Sequence, residues 1–147
     1  MERFSLHCGV NLLLFHKQDI LLLLRNNTGF ADGMFGVVGG HLDGGESATS
    51  ALIRETQEEI NIQVQPQDLK LVVTVHRMLD HCEYIDLFFK TDTWEGELRN
   101  NELHKHLHYA WFPAYDLPKN TMPLVYHVLG NYLSGMNYLE FGWDNER

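Results

Sequence analysis

A glycine-rich stretch followed by an uninterrupted helical pattern constrains the fold of this chain more than any other feature of its sequence. Residues 39–45 include four glycines, and residues 47–59 include neither glycine nor proline. Within the second stretch Ala48, Leu52 and Thr56 recur at intervals of four, as on one face of a helix. The sequence therefore predicts a strand that ends in a tight loop, followed at once by a helix over 47–59.

Both ends of this helix carry capping signals. Ser47 is a suitable N-cap, because its hydroxyl can accept a hydrogen bond from a backbone N–H of the first turn. Asn61 follows the last turn and tolerates the left-handed conformation that stops a helix. A second helix is predicted over 121–133, ending before Gly135.

Apolar and β-rich segments on both sides of the first helix predict strands. They cover residues 6–15, 20–25, 35–38, 69–79, 84–93 and 109–112. The polar stretch 92–107 is long for a loop, which favours a functional role, and the aromatic tail 138–143 is expected to pack against the domain. The order strands, helix, strands, helix predicts an α+β domain with helices packed against a mixed sheet.

Length and composition exclude several classes of protein. The 147 residues suit a single domain over 1–147, and a hydrophobic content of 44% suffices for a globular core. The longest apolar run, 20–24, is far shorter than a membrane span, and the first residues lack the pattern of a secretory signal. We expect no membrane partner.

The charge balance bears on partners and compartment. Twenty acidic against eleven basic residues give a net charge of −9, which disfavours a nucleic-acid polymer but permits a small phosphorylated ligand bound through metal cations. Cys8 and Cys82 form no CxxC motif, and free thiols are typical of the cytoplasm. The sequence leaves the oligomeric state open between monomer and homodimer.

Three glutamates of the first predicted helix cluster on one arc. Glu55, Glu58 and Glu59 fall within about 100° of the helix circumference, at the edge of its apolar stripe. Like charges at these spacings repel each other. Arg54 can pair with Glu58 four residues later, and a hard divalent cation such as Mg²⁺ or Mn²⁺ suits the remaining carboxylates. A solvated acidic helix face is the alternative.

The spacing of these residues resembles a known signature. Gly40, Glu46, the pair Arg54-Glu55 and the pair Glu58-Glu59 are spaced as in the box of the Nudix (MutT-like) hydrolases. Asn61 replaces a glycine of the box, Thr56 an apolar residue, and Val38 a frequent proline. The likeness continues through segments 85–89, 94–97, 111–113, 116–118 and 141–143, and so covers nearly the whole chain.

The resemblance implies the Nudix α/β/α sandwich, with a mixed β-sheet between helices. It implies hydrolysis of a nucleoside diphosphate linked to another group, with water attacking phosphorus in the presence of Mg²⁺ or Mn²⁺. Roles carried over by motif position make Glu58 and Glu59 the principal metal ligands, and Glu55 a further ligand or the base. The Gly39 carbonyl would contact metal.

Further roles follow from the same resemblance. Arg54 would orient the glutamates, and Glu46 would support the box from behind. Glu102, in the long polar loop, would supply an extra carboxylate as ligand or base. His41 is expected to line the cleft beside Gly40, which is expected to approach the substrate.

Three weaker signals each have a structural alternative. Arg25 would meet a phosphate or lie on the surface. Asn120 would read a nucleobase or cap the second helix. The alternating histidines 104, 106 and 108 would share one strand face as a zinc site, or serve no ligand.

Several functions remain open on the sequence alone. The leading hypothesis is a metal-dependent hydrolase of a nucleoside triphosphate, including oxidised ones. ADP-ribose, dinucleoside polyphosphates and nucleotide sugars are alternative substrates. A non-catalytic nucleotide-sensing domain would tolerate a broken box, whereas all acidic box residues are present here. An isoprenyl diphosphate isomerase would need a catalytic cysteine near the diphosphate.

Overall fold

The computed structural model describes residues 2–143 of the chain. These residues form eight strands, two α-helices and one 3₁₀ turn at Pro66–Asp68. The strands are β1 (His7–His16), β2 (Asp19–Arg25), β3 (Phe35–Gly36), β4 (Val38–His41), β5 (Lys70–Leu79), β6 (Cys82–Thr91), β7 (His106–Pro113) and β8 (Tyr138–Phe141). The helices are α1 (Ala48–Ile60) and α2 (Pro123–Leu133).

The eight strands form one mixed sheet in the order β3-β2-β1-β6-β5-β8, with β4 paired to β1 and β7 paired to β2. β1 runs parallel to β6, and β5 runs parallel to β8. β1 pairs with β4 over residues 9–12 and with β2 at residues 15–16. The chain between β3 and β4 therefore changes its partner strand, and this brings β4 alongside α1.

The apolar core lies on both faces of the sheet. In β1, Val10 and Leu12 pack with Leu52 of α1, whereas Leu13 packs with Val128 of α2. Because alternate side chains of a strand point to opposite faces, a strand covered on both faces must be apolar at almost every position. This explains the unbroken apolar runs of β1 and β2.

The first helix confirms its predicted caps. The Ser47 hydroxyl accepts a hydrogen bond from the backbone N–H of Ser50 at 3.2 Å. Asn61 adopts a left-handed conformation with φ of 66°, and its N–H donates to the carbonyl of Gln57. The helix thus ends where local sequence chemistry dictates.

Four other predicted segments differ from the structure in their bounds or in their kind. The predicted strand 35–38 is divided at Val37 into β3 and β4. The second helix begins at Pro123, with Met122 in the N-cap position. β7 begins at His106, three residues earlier than predicted. The aromatic tail packs down as expected, but its residues 138–141 do so as strand β8.

Within residues 2–143, neither helix has the length and apolar character required to cross a membrane.

Candidate active site

A cleft of about 460 Å³ opens between α1, β4 and the segment before β7. We call it the carboxylate cleft. Its lining comprises Arg25, Asn27, Thr28, Val37, Gly39, Gly40, Glu55, Glu59, Glu102, His104, Lys105 and His106. Three carboxylates therefore face one opening.

The helix glutamates differ in exposure. The side chain of Glu58 is 52% exposed and that of Glu55 is 20% exposed, whereas Glu59 as a residue is 6% exposed. The sequence predicts all three at the edge of the apolar stripe. In the structure their exposure decreases from Glu58 at the rim of the cleft, through Glu55, to Glu59 in its interior. Glu59 lies deepest because it occupies the turn of α1 that also buries Ile60.

Burial, together with the nearby charges of Glu55 and Glu102, raises the pKa of the Glu59 carboxyl to about 9. Burial also raises the pKa of Glu55, although that carboxylate accepts a hydrogen bond from protonated Glu59. The metal-free site therefore holds a proton between two carboxyl groups at neutral pH. A bound cation would neutralise the carboxylate charges, lower the pKa of Glu59 and so displace that proton.

Glu102 and His106 join Glu59 at the base of the cleft. One carboxylate oxygen of each glutamate and one ring nitrogen of His106 all lie within 4.8 Å of one another. This is the only such group of three His, Cys, Asp or Glu side chains in the part of the chain that the structure describes. Glu58 is outside it.

His104 and His106 line the carboxylate cleft but His108 does not, so the alternative of a zinc site shared by all three histidines is wrong for the described residues. His106 is buried beside Glu59, whereas His108 is exposed and its ring centre lies 5.9 Å from that of Phe35. The pairing of β2 with β7 shifts register between Leu23 and Arg25. Such a bulge reverses the alternation of side chains.

His106 carries an unusual buried atom. Its Nδ1 has no hydrogen-bond partner, alone among buried side-chain nitrogens and oxygens of residues 2–143. Burial, together with the charges of Arg25, Lys105 and His104, lowers the pKa of the ring to about 4. The ring is therefore neutral at physiological pH.

The loop that carries Glu102 is fastened to the end of α1. The backbone N–H of Asn101 donates to the Glu59 carbonyl at 2.9 Å, and that of Arg99 donates to the Ile60 carbonyl at 3.0 Å. The Asn61 side chain donates to the carbonyl of residue 97. The loop thus satisfies carbonyls that a helix terminus leaves without partners, and it fixes Glu102 relative to Glu59.

Arg54 holds the outer side of the cluster. Its Nη2 lies 2.6 Å from Glu46, and its Nη1 lies 3.4 Å from Glu58 and 3.5 Å from Glu55. Hydrogen bonding to Arg54 lowers the pKa of Glu46. The predicted Arg54–Glu58 pair is present. The shorter contact of Arg54 is to Glu46, so Glu46 holds the guanidinium beside the helix glutamates.

The two glycines of β4 leave no room for side chains. A Cβ on Gly39 would lie 2.6 Å from Oδ1 of Asn11 and from the carbonyl of Val10. A Cβ on Gly40 would overlap the Glu55 carboxylate. Both residues line the carboxylate cleft with bare backbone.

A second opening of about 390 Å³ adjoins the first. We call it the apolar cavity, because most of its lining is apolar. Its walls include Phe30, Val37, Met78, Leu79, Phe88, Met122, Pro123, Leu124, Val125 and Phe141. It shares Arg25, Val37, Gly39 and Gly40 with the carboxylate cleft, so one ligand can reach both.

A buried ion pair lies in the wall of the apolar cavity. Arg77 donates from Nε to Asp86 at 2.5 Å and from Nη2 at 3.2 Å, and its guanidinium lies 4.0 Å from the centre of the Tyr84 ring. The two side chains are 13% and 4% exposed. His41 stacks against Tyr84, with 5.9 Å between the ring centres, and it lines the apolar cavity, not the carboxylate cleft.

Arg25 lines both openings and is held by its own loop. Its Nε donates to the Phe30 carbonyl at 2.9 Å and its Nη2 donates to Thr28 at 3.2 Å. Asp32 accepts hydrogen bonds from Thr28 and from the backbone of Gly29. The guanidinium is therefore positioned at the boundary between the two openings.

Asn120 does not cap α2, so the structural alternative considered for it is wrong. Its Nδ2 donates to the Gly33 carbonyl at 3.0 Å, and its own carbonyl accepts from Phe35. It lines neither of the two openings. The side chain ties the loop before β3 to the segment before α2.

The structure thus brings together the predicted residues Glu55, Glu59, Glu102, Gly39 and Gly40, with Arg25 at the boundary. Glu58, Arg54 and Glu46 form the outer rim. Sequence reasoning missed Arg77 and Asp86 of the apolar cavity. A charged residue between Ile85 and Leu87, within the apolar stretch 84–89 of β6, was the available signal for Asp86.

A family model and several solved structures match this chain. The model of the NUDIX domain matches residues 5–129. The structure is similar to that of a MutT NUDIX hydrolase from Burkholderia pseudomallei, with 23% identity, 86% of this chain and 98% of that chain covered, and a TM-score of 0.78.

Two further solved structures are similar. A MutT protein from Methanosarcina mazei Go1 is 20% identical, with a TM-score of 0.76 over 91% of this chain and 97% of that chain. The E. coli ORF135 protein is 20% identical, with a TM-score of 0.75 over 88% of this chain and 90% of that chain. These likenesses confirm the expected α+β fold, a mixed sheet between two helices.

Proposed function

Since the chain belongs to the Nudix family and is therefore a hydrolase of pyrophosphate bonds, we propose that it is a divalent-metal-dependent pyrophosphohydrolase of nucleotides. The favoured substrate is a nucleoside triphosphate, which yields a nucleoside monophosphate and pyrophosphate. The free thiols of Cys8 and Cys82 suit a reducing compartment such as the cytoplasm.

The convergence of Glu55, Glu59 and Glu102 in one cleft carries this proposal. The cations in contact with the cluster are few: Arg54 makes its shortest contact with Glu46, and Lys105 lies 3.9 Å from Glu102. Buried carboxylates with too little positive charge around them favour protonation or a cation. Of these two, only a bound cation would also assist the hydrolysis of a pyrophosphate bond.

The residues fit a hard divalent ion. Glu59 and Glu102 offer oxygens within reach of one ion, and Gly39, the predicted source of a carbonyl ligand, lines the same opening. Glu58, at the rim, is suited to a second contact closer to the substrate phosphates. A bound Mg²⁺ or Mn²⁺ would neutralise phosphate charge and lower the pKa of the attacking water.

Glu55 is the residue best placed to accept the proton of that water. It faces the cleft but lies outside the group formed by Glu59, Glu102 and His106. Burial raises its pKa towards the range in which a carboxylate is an effective general base. Arg54 contacts both Glu55 and Glu58, so it keeps their carboxylates oriented.

The apolar cavity supports a nucleoside as the remainder of the substrate. A flat base would pack among apolar side chains such as Phe88 and Met122, and the Arg77–Asp86 pair would give its polar edge hydrogen-bonding partners. The phosphates would then extend past Arg25 and Gly40 into the carboxylate cleft. Arg25, at this boundary, is suited to contact a phosphate oxygen.

A nucleotide panel tests the proposal. Wild-type protein and the Glu59→Gln variant would be incubated with Mg²⁺ and nucleoside triphosphates (ordinary and oxidised), ADP-ribose or a nucleotide sugar. We expect release of nucleoside monophosphate from at least one triphosphate by the wild type, and abolition by chelator. Full turnover in excess chelator, or an equally active Glu59→Gln variant, would refute the metal mechanism.

A further inference from the structure

His106 is a buried polar side chain for which the proposed hydrolysis has no use. The residue is 5% exposed. Its backbone carbonyl accepts a hydrogen bond from Asn100 at 2.7 Å, and its N–H donates to the carbonyl of Glu102 at 2.9 Å. The backbone is thus fixed on both sides, while the ring Nδ1 has no partner among the described residues.

An unpartnered buried nitrogen destabilises a protein unless something binds it. One ring nitrogen of His106 lies within 4.8 Å of oxygens of Glu59 and Glu102. Ligand atoms that share one small cation are about 3–3.5 Å apart, given bonds of about 2.1 Å. Movements of about an ångström would therefore bring all three atoms onto one ion.

We propose that His106 supplies a nitrogen ligand to the ion held by Glu59 and Glu102, so that this site prefers a later transition-metal ion such as Co²⁺ to Mg²⁺. The inference rests on the proposed function in one respect, that the carboxylate cleft binds a divalent ion. It adds a ligand of a different chemical kind. Imidazole binds later first-row ions better than it binds Mg²⁺, which favours oxygen ligands.

The main alternative is that the ring only supports the loop of Glu102 by packing. A packing role predicts equal losses of affinity for every metal when the ring is replaced. A ligand role predicts a loss that depends on the metal. His104 provides a matched control, because it lines the same cleft but is exposed and outside the group of three.

Pulsed electron paramagnetic resonance on the full chain loaded with Mn²⁺ tests the ligand directly. We expect modulation from a directly bound nitrogen in the wild type, a change of that signal on selective ¹⁵N labelling of histidine, and its loss in His106→Leu. The signal should persist in His104→Leu. Bound Mn²⁺ without a histidine nitrogen signal would overturn the proposal.

Equilibrium binding provides a second readout. His106→Leu should weaken Co²⁺ binding about tenfold or more while changing Mg²⁺ binding, measured by competition, less than about threefold. Equal weakening for both ions would overturn the proposal. If His106→Leu fails to fold, His106→Asn and His106→Gln place an amide near Nδ1 and Nε2 respectively, and one of them should retain Mg²⁺ binding while losing the Co²⁺ preference.

These results separate the two proposals. Metal binding and hydrolysis without a nitrogen ligand would refute the role of His106 and leave the proposed function intact. A chain that binds no divalent ion in this cleft would refute both.

Discussion

The carboxylate of Glu55 occupies the space in which a side chain at position 40 would begin. Gly40 lies in β4 and Glu55 in α1, so the missing Cβ lets helix and strand approach closely at the site. The requirement for glycine here is one of space, since Gly40 is not among the residues with positive φ.

Gly40→Ala should therefore displace the Glu55 carboxylate. We expect kcat to fall about tenfold or more while KM changes less, and the free energy of unfolding to fall by about 1–3 kcal/mol through overpacking. Steady-state kinetics and urea denaturation would measure both. Gly130→Ala is the control, because a Cβ there meets nothing within 4 Å, and alanine in the helix should stabilise by about 0.5–1 kcal/mol. A Gly40→Ala enzyme with normal kcat would contradict the assignment of Glu55.

Glu59→Gln should lower kcat by about a hundredfold or more and stabilise the metal-free protein. The folded pKa of about 9 exceeds the ordinary value of 4.5, so the folded state binds the extra proton between these values and loses stability as pH rises from about 4.5 to about 9. The variant should thus be about 1–3 kcal/mol more stable at pH 8 and nearly equal at pH 4. Urea denaturation in chelator at both pH values would measure the difference.

Glu58→Gln serves as the comparison for this pH effect, because Glu58 is exposed and contacts Arg54. Its stability should follow the pH dependence of the wild type. A similar pH dependence for all three proteins would show that burial of Glu59 has no energetic consequence.

Glu102→Gln should reduce kcat more than it changes KM, because an oxygen of Glu102 lies within 4.8 Å of one of Glu59, where the proposed ion would bind. It should also weaken Mn²⁺ binding by about tenfold or more. Glu97→Gln in the same loop is the control, since that side chain is 83% exposed, and its kinetics should be unchanged. If Glu102→Gln left both the rate and the metal affinity unaltered, Glu102 would be neither a metal ligand nor a base.

Asn120→Ala tests whether this side chain reads a base or holds a loop. The hydrogen bond to the Gly33 carbonyl predicts a loss of about 1 kcal/mol of stability and a similar decrease of kcat/KM for every nucleotide. Thermal melts and kcat/KM values for four nucleoside triphosphates would distinguish the roles. A decrease confined to one base would instead support base reading by Asn120.

Local chemistry made the first helix predictable. Ser47 and Asn61 cap it as expected, and the apolar spacing around Leu52 gave its buried face. The strands of the sheet were predictable because β1 and β2 are apolar on both faces. Tertiary pairing made β8 unpredictable, since four residues starting at Tyr138 become a strand only by running parallel to β5.

The position of His106 was unpredictable for a different reason. Strand alternation assigned His104, His106 and His108 to one face. The bulge in the pairing of β2 with β7, near Arg25, instead turns the side chains of His106 and His108 to opposite faces. A bulge depends on how two distant strands pair, and no short sequence pattern reports it. The box residues Glu55 and Glu59 were predictable because one helix sets their spacing.

The hydrogen bonds from residues 99 and 101 to the end of α1 restrict how this enzyme can diversify. An insertion between Arg99 and Glu102 would shift the Glu102 carboxylate away from Glu59, so this short segment must keep its length. The loop around Arg25 and the strand ends near Arg77 carry no such tether to α1. New substrate preferences can therefore evolve on that side while the chemistry on the other remains unchanged.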